Sequence, residues 1–176
     1  MTEYARPAEE LAPGRSDSPS AHVRGVESTD RHRLEEIVRG AGNFSVEEVD
    51  TAMELIDDAL LAQNQDDYLV HVLEDRGGVH GYVCIGPTPL THGVYDLYWI
   101  AVDAAAHRRG YGRKLLSFAE HEVRRRGGRM LLIETSSLET YCSTREFYAR
   151  SGYEEVARVP NFYNVGDDKL IYSKSF

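Results

Sequence analysis

Between Ala106 and Leu116 the chain reads AHRRGYGRKLL, two glycines one residue apart among Arg108, Arg109 and Arg113. Gly110 and Gly112 permit backbone conformations, or a close approach, that a Cβ would obstruct. If a helix begins here, several backbone N–H groups and the positive end of the helix dipole converge on one point, and the natural guest is a phosphate. The dipole alone contributes about 0.3 to 1 kcal/mol, or about 2 when partly buried, so the arginines are expected to supply the rest.

The spelling of the loop excludes two common phosphate binders. A P-loop needs Ser or Thr after its lysine, whereas Lys114 precedes Leu115. A dinucleotide fingerprint needs a small residue where Leu115 stands. Other chemistries fail as well. His121 opens what could be a zinc helix motif, but Arg125 occupies the second histidine position, so no metal site is expected. The nucleophile elbow G-x-S-x-G is absent, and Cys142 has no base beside it. Three further side chains stand out. Tyr148, in FYARSGY, is either a packed aromatic with a structural hydrogen bond or a positioned proton donor. Asp96 and Glu134 each interrupt an apolar strand run, so each must be paired, exposed or functional.

These residues need elements to position them. AHVRGVES alternates as a strand, and STDRHRLEEIVRGAG follows as a helix with a capping signal and a closing glycine. SVEEVDTAMELIDDALLAQ has Ser45 as N-cap and Glu48 three residues on, a capping box ahead of apolar positions at helical spacing. DYLVHVLED, GVHGYVCIG and GVYDLYWIAVD then read as an antiparallel meander. If the third strand is regular, Asp96 shares a face with Tyr98, Ile100 and Val102. A helix with Leu115, Leu116, Ala119 and Val123 on one face runs from the loop to Gly127-Gly128, a short buried strand RMLLIETSS follows, then a helix STREFYARSG and two strands, YEEVARVP and DKLIYSKSF. The order is β-α-α-β-β-β-α-β-α-β-β, an α/β domain with a mixed sheet over 21–176. Residues 1–20, with Pro7, Pro13 and Pro19, offer little to bury and are expected to form a disordered N-terminal tail.

The 176 residues suffice for one core without metal or disulfide staples. The net charge of −9 argues against nucleic acid. No apolar run spans a bilayer, no secretory signal opens the chain, and Cys84 and Cys142 form no partner pattern, so a cytoplasmic setting is expected. Charge is unevenly distributed. Gly40 to Asp75 carries ten acids and no Lys or Arg, whereas Arg108 to Arg129 carries eight bases against Glu120 and Glu122. Such runs are either solvated helix faces or the poles of a site that attracts a cation at one end and a polyanion at the other.

YWIAVDAAAHRRGYGRKLL resembles the acyl-CoA-binding motif of the GCN5-related N-acetyltransferase (GNAT) family, Arg or Gln, two residues, Gly, one residue, Gly or Ala, with His107 in the Arg or Gln position. FYARSGY resembles the family's later helix, and the element order matches its fold, a mixed, mostly antiparallel sheet flanked by helices. The resemblance implies an enzyme that transfers the acetyl group of acetyl-CoA to a primary amine by direct attack, with no metal. It implies that His107, Arg108, Arg109, Gly110, Tyr111, Gly112 and Arg113 receive the pyrophosphate, that the backbone of Ile100, Ala101 and Val102 pairs with the pantetheine arm, and that a backbone N–H there stabilises the oxyanion. Tyr148 would be the general acid. Asp96 would be the base, with Glu134 or a water chain as competitor. With the acidic segment where the family commonly builds its acceptor site, a small cationic amine is the expected acceptor; a protein lysine or N-terminus, or a non-catalytic acyl-CoA sensor, are the alternatives. Paired edge strands in the family make a homodimer a further expectation.

Overall fold

The computed structural model describes residues 21–42, 44–61 and 67–176; the tail expected over 1–20 lies outside the described residues. The elements are β1 (His22–Gly25), α1 (Arg31–Gly40), α2 (Val46–Leu61), β2 (Leu69–Asp75), β3 (Gly78–Pro87), β4 (Val94–Val102), α3 (Tyr111–Arg125), β5 (Met130–Ser136), α4 (Cys142–Arg150), β6 (Glu154–Asn164) and β7 (Asp167–Ser175). That is the order read from the sequence. Short 3-10 turns precede α1, α3 and α4. Among the described residues no helix is long and apolar enough to cross a membrane.

One seven-stranded sheet runs β1-β2-β3-β4-β5-β7-β6, antiparallel everywhere except between β4 and β5. Its two faces are covered by different helices. Leu34, Ile37 and Val38 of α1 and Val49, Met53 and Ile56 of α2 pack with Val72, Tyr82 and Ala101. On the other face the apolar stripe of α3, Leu115, Leu116, Ala119 and Val123, packs with Tyr148 of α4 and with Val83, Leu131 and Leu170. The stripe at helical spacing is what docks α3, and α2 begins where Ser45 and Glu48 complete their capping box. The Ser45 N–H donates to Glu48 Oε2 at 2.7 Å, and the Glu48 N–H donates to Ser45 Oγ at 3.2 Å.

Two departures from regularity shape the centre of the sheet. Cys84 faces Trp99 while the adjacent Ile85 faces Leu97, so Tyr98 is an extra residue in β4, a β-bulge. Tyr98 and Trp99 therefore both pack toward α1 and α2, and Leu97, Ile100 and Val102 toward α3. This corrects the expectation for a regular strand: Asp96 shares a face with Tyr98, but Ile100 and Val102 are turned to the opposite side. The second departure is a splay. β4 pairs with β5 only from Val94 to Leu97, opposite Met130 to Ile133, after which β5 continues beside β7 alone. From Tyr98 to Val102, the β5-facing backbone edge of β4 has no strand against it among the described residues.

Candidate active site

The glycine loop lies at the mouth of that splay. The Asp103 carboxylate accepts the Ala105 N–H at 2.9 Å and pairs with Arg33, starting the 3-10 turn that carries the chain to the loop. Arg108 and Gly110 both take left-handed backbone, with φ of 63° and 79°, a conformation that costs glycine little and that lets the chain turn sharply into α3. The first backbone bond of α3 runs from the Lys114 N–H to the Gly110 carbonyl at 3.0 Å. The N–H groups of Tyr111, Gly112 and Arg113 precede that bond and so have no acceptor within the helix. Gly112 is informative. Its backbone is not left-handed, and a Cβ there would meet only Phe147 and Val102 at ordinary distances of 3.7 Å and beyond. A Cβ at 112 would pack against those two side chains, whereas one on Gly110 would meet nothing within 4 Å, so the space outside the helix start is open at Gly110. Arg108, Arg109 and Arg113 are exposed around it.

Two residues of the expected pyrophosphate loop turn their side chains to the protein. His107 Nε2 lies 3.0 Å from the Val102 carbonyl, so the imidazole closes the loop on the end of β4. The Tyr111 side chain is buried, its hydroxyl donating to Asp75 Oδ2 at 2.6 Å; only its backbone N–H is available to an anion.

Beyond the splay opens a cleft of about 1070 Å³. Tyr148 lines it from α4, only 4% exposed, its ring among Phe147, Tyr153 and Tyr172. Among the described residues its hydroxyl has no hydrogen-bond partner. Burial pushes its pKa above the ordinary tyrosine value, so it carries its proton at neutral pH, as a general acid must. Asp96 enters the cleft from β4 and accepts a hydrogen bond from Thr88 Oγ1 at 2.7 Å. Desolvation raises its pKa, with the Glu134 charge adding and Thr88 and Lys169 opposing, which moves this carboxyl toward the range of a useful base. Glu134 is held differently: both of its oxygens lie 3.0 Å from Lys169 Nζ. Of the two competing acids, Glu134 is paired with a cation, and Asp96, among the described residues, with a hydroxyl.

The far walls come from distant parts of the chain. α2 contributes Glu47 and Glu48 from its first turn; Phe44 and Trp99 stack edge to face at 5.0 Å; the β6–β7 hairpin contributes Tyr163, Asn164 and Asp167. Tyr141 donates to Glu48 Oε1 at 3.3 Å, joining α2 to the turn before α4. Five carboxylates, Glu47, Glu48, Asp96, Glu134 and Asp167, line the cleft, and no Lys, Arg or His does among the described residues. The sequence reading missed Thr88, Tyr141 and Asp167. Thr88 sits in a loop whose Pro and Gly signal only a turn, and the other two join the site through contacts 31 to 93 residues away along the chain.

The description Acetyltransferase (GNAT) domain matches residues 66–155. A solved structure described as an acetyltransferase of the GNAT family from Desulfovibrio desulfuricans is 40% identical, superposes with a TM-score of 0.85, and the alignment covers 89% of this chain and 99% of that one. The ribosomal-protein-S18-alanine N-acetyltransferase of Escherichia coli shares the fold at 22% identity and a TM-score of 0.71, over 88% of this chain and 93% of that one. The S-(2-succino)cysteine N-acetyltransferase of Bacillus subtilis is 26% identical over 98 residues, 53% of this chain; the match spans 59% of that relative's length.

Proposed function

The chain belongs to the GNAT family of acetyl-CoA-dependent N-acetyltransferases, and on that premise we propose that it acetylates the primary amine of a small cationic acceptor by direct attack. The observation that carries the acceptor class is the lining of the cleft, five carboxylates and aromatic walls with no basic side chain among the described residues. Such a lining favours cations through charge and through the faces of Trp99, Phe44 and Tyr163. It suits a polyamine, a basic amino acid or an aminoglycoside-like amine. It would repel the carboxylates of a succinylated cysteine, so the acceptor of the Bacillus relative is not carried over. Walls from α2, the turn before α4 and the β6–β7 hairpin suit a small acceptor better than a peptide.

Acetyl-CoA supplies an acetyl group activated as a thioester. The unpaired N–H groups of Tyr111, Gly112 and Arg113, with Arg108, Arg109 and Gly110 around them, hold the pyrophosphate. The free edge of β4 at Ile100, Ala101 and Val102 receives the pantetheine arm as a strand would be received, and a backbone N–H on that edge donates to the thioester oxygen as charge gathers on it. An ammonium has no lone pair with which to attack. Asp96 takes one proton from the acceptor nitrogen, directly or through a water, and orients the amine. As the carbon–sulfur bond breaks, Tyr148 donates its hydroxyl proton to sulfur. It recovers one from the nitrogen's second proton or from solvent.

The test is release of free CoA thiol over a panel of amines: cationic amines, acidic amino acids, and peptides with a free N-terminus or lysine. Turnover with small cationic amines, at kcat/KM at least tenfold above the rest, is expected. Preference for peptides would replace the acceptor assignment, and CoA binding without turnover on any amine would leave a sensor.

A further inference from the structure

The glycine loop is held at both ends by a part of the chain outside the site, the hairpin turn between β2 and β3. At the far end, Tyr111 opens α3 and sends its hydroxyl 2.6 Å to Asp75 Oδ2. The other oxygen of Asp75 accepts the Gly77 N–H at 2.7 Å and faces His80 Nε2 at 2.7 Å. A Cβ on Gly77 would sit 3.1 Å from that oxygen and 3.3 Å from His80, tighter than ordinary contact. The Asp75 side chain is 3% exposed, and its three polar contacts are all with groups of the protein. At the near end, the His80 carbonyl accepts the Asp103 N–H at 2.8 Å, where the loop leaves β4. Nothing else in the catalytic reading uses Asp75 or His80.

We propose that Asp75 is a positioning residue for the cofactor, holding the first turn of α3, through Tyr111, where its N–H groups meet the pyrophosphate of CoA. The assignment rests on the reading of the loop given above. A hydroxyl anchored by a buried carboxylate fixes the rotation of the helix start, and the N–H groups of Tyr111, Gly112 and Arg113 rotate with it. Asp75→Asn leaves one acceptor oxygen where the carboxylate has two, so the Tyr111 hydroxyl loses its charged acceptor and at most accepts from the new amide, with little change in volume.

The experiment is calorimetric titration of the full chain with CoA, for wild type, Asp75→Asn, Tyr111→Phe, the double variant and Gly112→Asp, with melting temperatures alongside. Asp75→Asn is expected to weaken CoA by about tenfold. Tyr111→Phe should do the same, and the double variant should be no weaker than either single one, because both remove one bond. For Asp75→Asn in steady state, KM for acetyl-CoA should rise with kcat at saturation and KM for the amine unchanged. Unaltered CoA affinity in Asp75→Asn, or additive losses in the double variant, overturns the proposal, including where the melting temperature falls. The Gly112→Asp arm separates this from the underlying reading. If Gly112→Asp binds CoA as wild type does, the loop itself is misassigned; if it loses CoA while Asp75→Asn keeps it, only the positioning role fails.

Discussion

The two ends of the cleft are built on opposite plans. In the site proposed above, the cofactor end is one contiguous stretch, Ile100 to Arg113, whose working groups would be mostly backbone N–H groups and exposed arginines. The acceptor end draws on α2, β4, β5, the turn before α4 and the β6–β7 hairpin, and its working groups are side chains, five of them acidic. Backbone donors at a helix start fit one ligand chemistry, a phosphate, whatever the side chains do. Side chains on separate elements can change one at a time. The cofactor end therefore constrains what the protein must bind, and the acceptor end records what it has been fitted to accept.

If that division is right, a charge placed at the cofactor end should have the largest effect of any single change. Gly112→Asp puts a carboxylate beside the N–H groups proposed to hold the pyrophosphate, at a position whose φ and surroundings tolerate a Cβ. Calorimetry should show CoA affinity down at least 10²-fold with the melting temperature close to wild type. A folded variant with normal affinity would remove the loop from the cofactor site.

Tyr148 stands where the two ends meet. Because its hydroxyl makes no structural hydrogen bond among the described residues, Tyr148→Phe should leave stability and CoA affinity nearly unchanged while the acetyl-transfer rate in a single turnover falls by about 10²-fold. Loss of more than about 1 kcal/mol of stability with catalysis intact would make the hydroxyl structural.

Asp96 gives a third test, in which activity and stability move in opposite directions. Its pKa in the folded protein is raised by burial above the value of about 3.9 that an unfolded chain would show. Above the folded value the carboxyl is ionised in both states and its desolvation cost is constant. As pH falls through that value the folded state takes up a proton first, and the cost is relieved. Asp96→Asn should therefore melt higher than wild type near neutral pH, and the difference should shrink as pH is lowered. Over the same range kcat/KM should fall by about tenfold or more and lose its acidic limb. A variant that keeps wild-type kcat/KM and its acidic limb would shift the base to Glu134 or to water.

The same contrast explains what was legible in the sequence. The glycine loop, the capping box of α2 and the apolar stripe of α3 are local patterns, and each stands where its spacing put it. Tyr148, singled out by the motif around it, lines the cleft. The β4 bulge was not: YDLYWIAV carries no Gly or Pro to mark an extra residue, so Asp96 was assigned to the face of Ile100. Nor could spacing show that Lys169 neutralises Glu134 from 35 residues away, or that Asp75, one of ten acids in a run, is tied to Tyr111. In each case the deciding partner is distant in sequence and near in space.

The smallest expected effect tests the acceptor end alone. Glu48 lines the cleft but also caps α2, so most substitutions would confuse charge with helix stability. Glu48→Gln limits this, because the one oxygen of a glutamine at the third helical position completes the same capping box, and its NH2 can donate to the Tyr141 hydroxyl, which now accepts. The negative charge is removed while both neighbours keep a polar partner. Across about 4 Å of water-like surroundings one such charge contributes about 1 kcal/mol to a cation, so KM for a cationic amine should rise about fivefold at low salt. The difference should narrow at high salt, where screening weakens the wild-type attraction. KM for acetyl-CoA should not move, since its site is built on other elements. If Glu48→Gln changes KM for acetyl-CoA as much as KM for the amine, the two ends are not independent; if it changes neither, the acids of α2 are a solvated helix face.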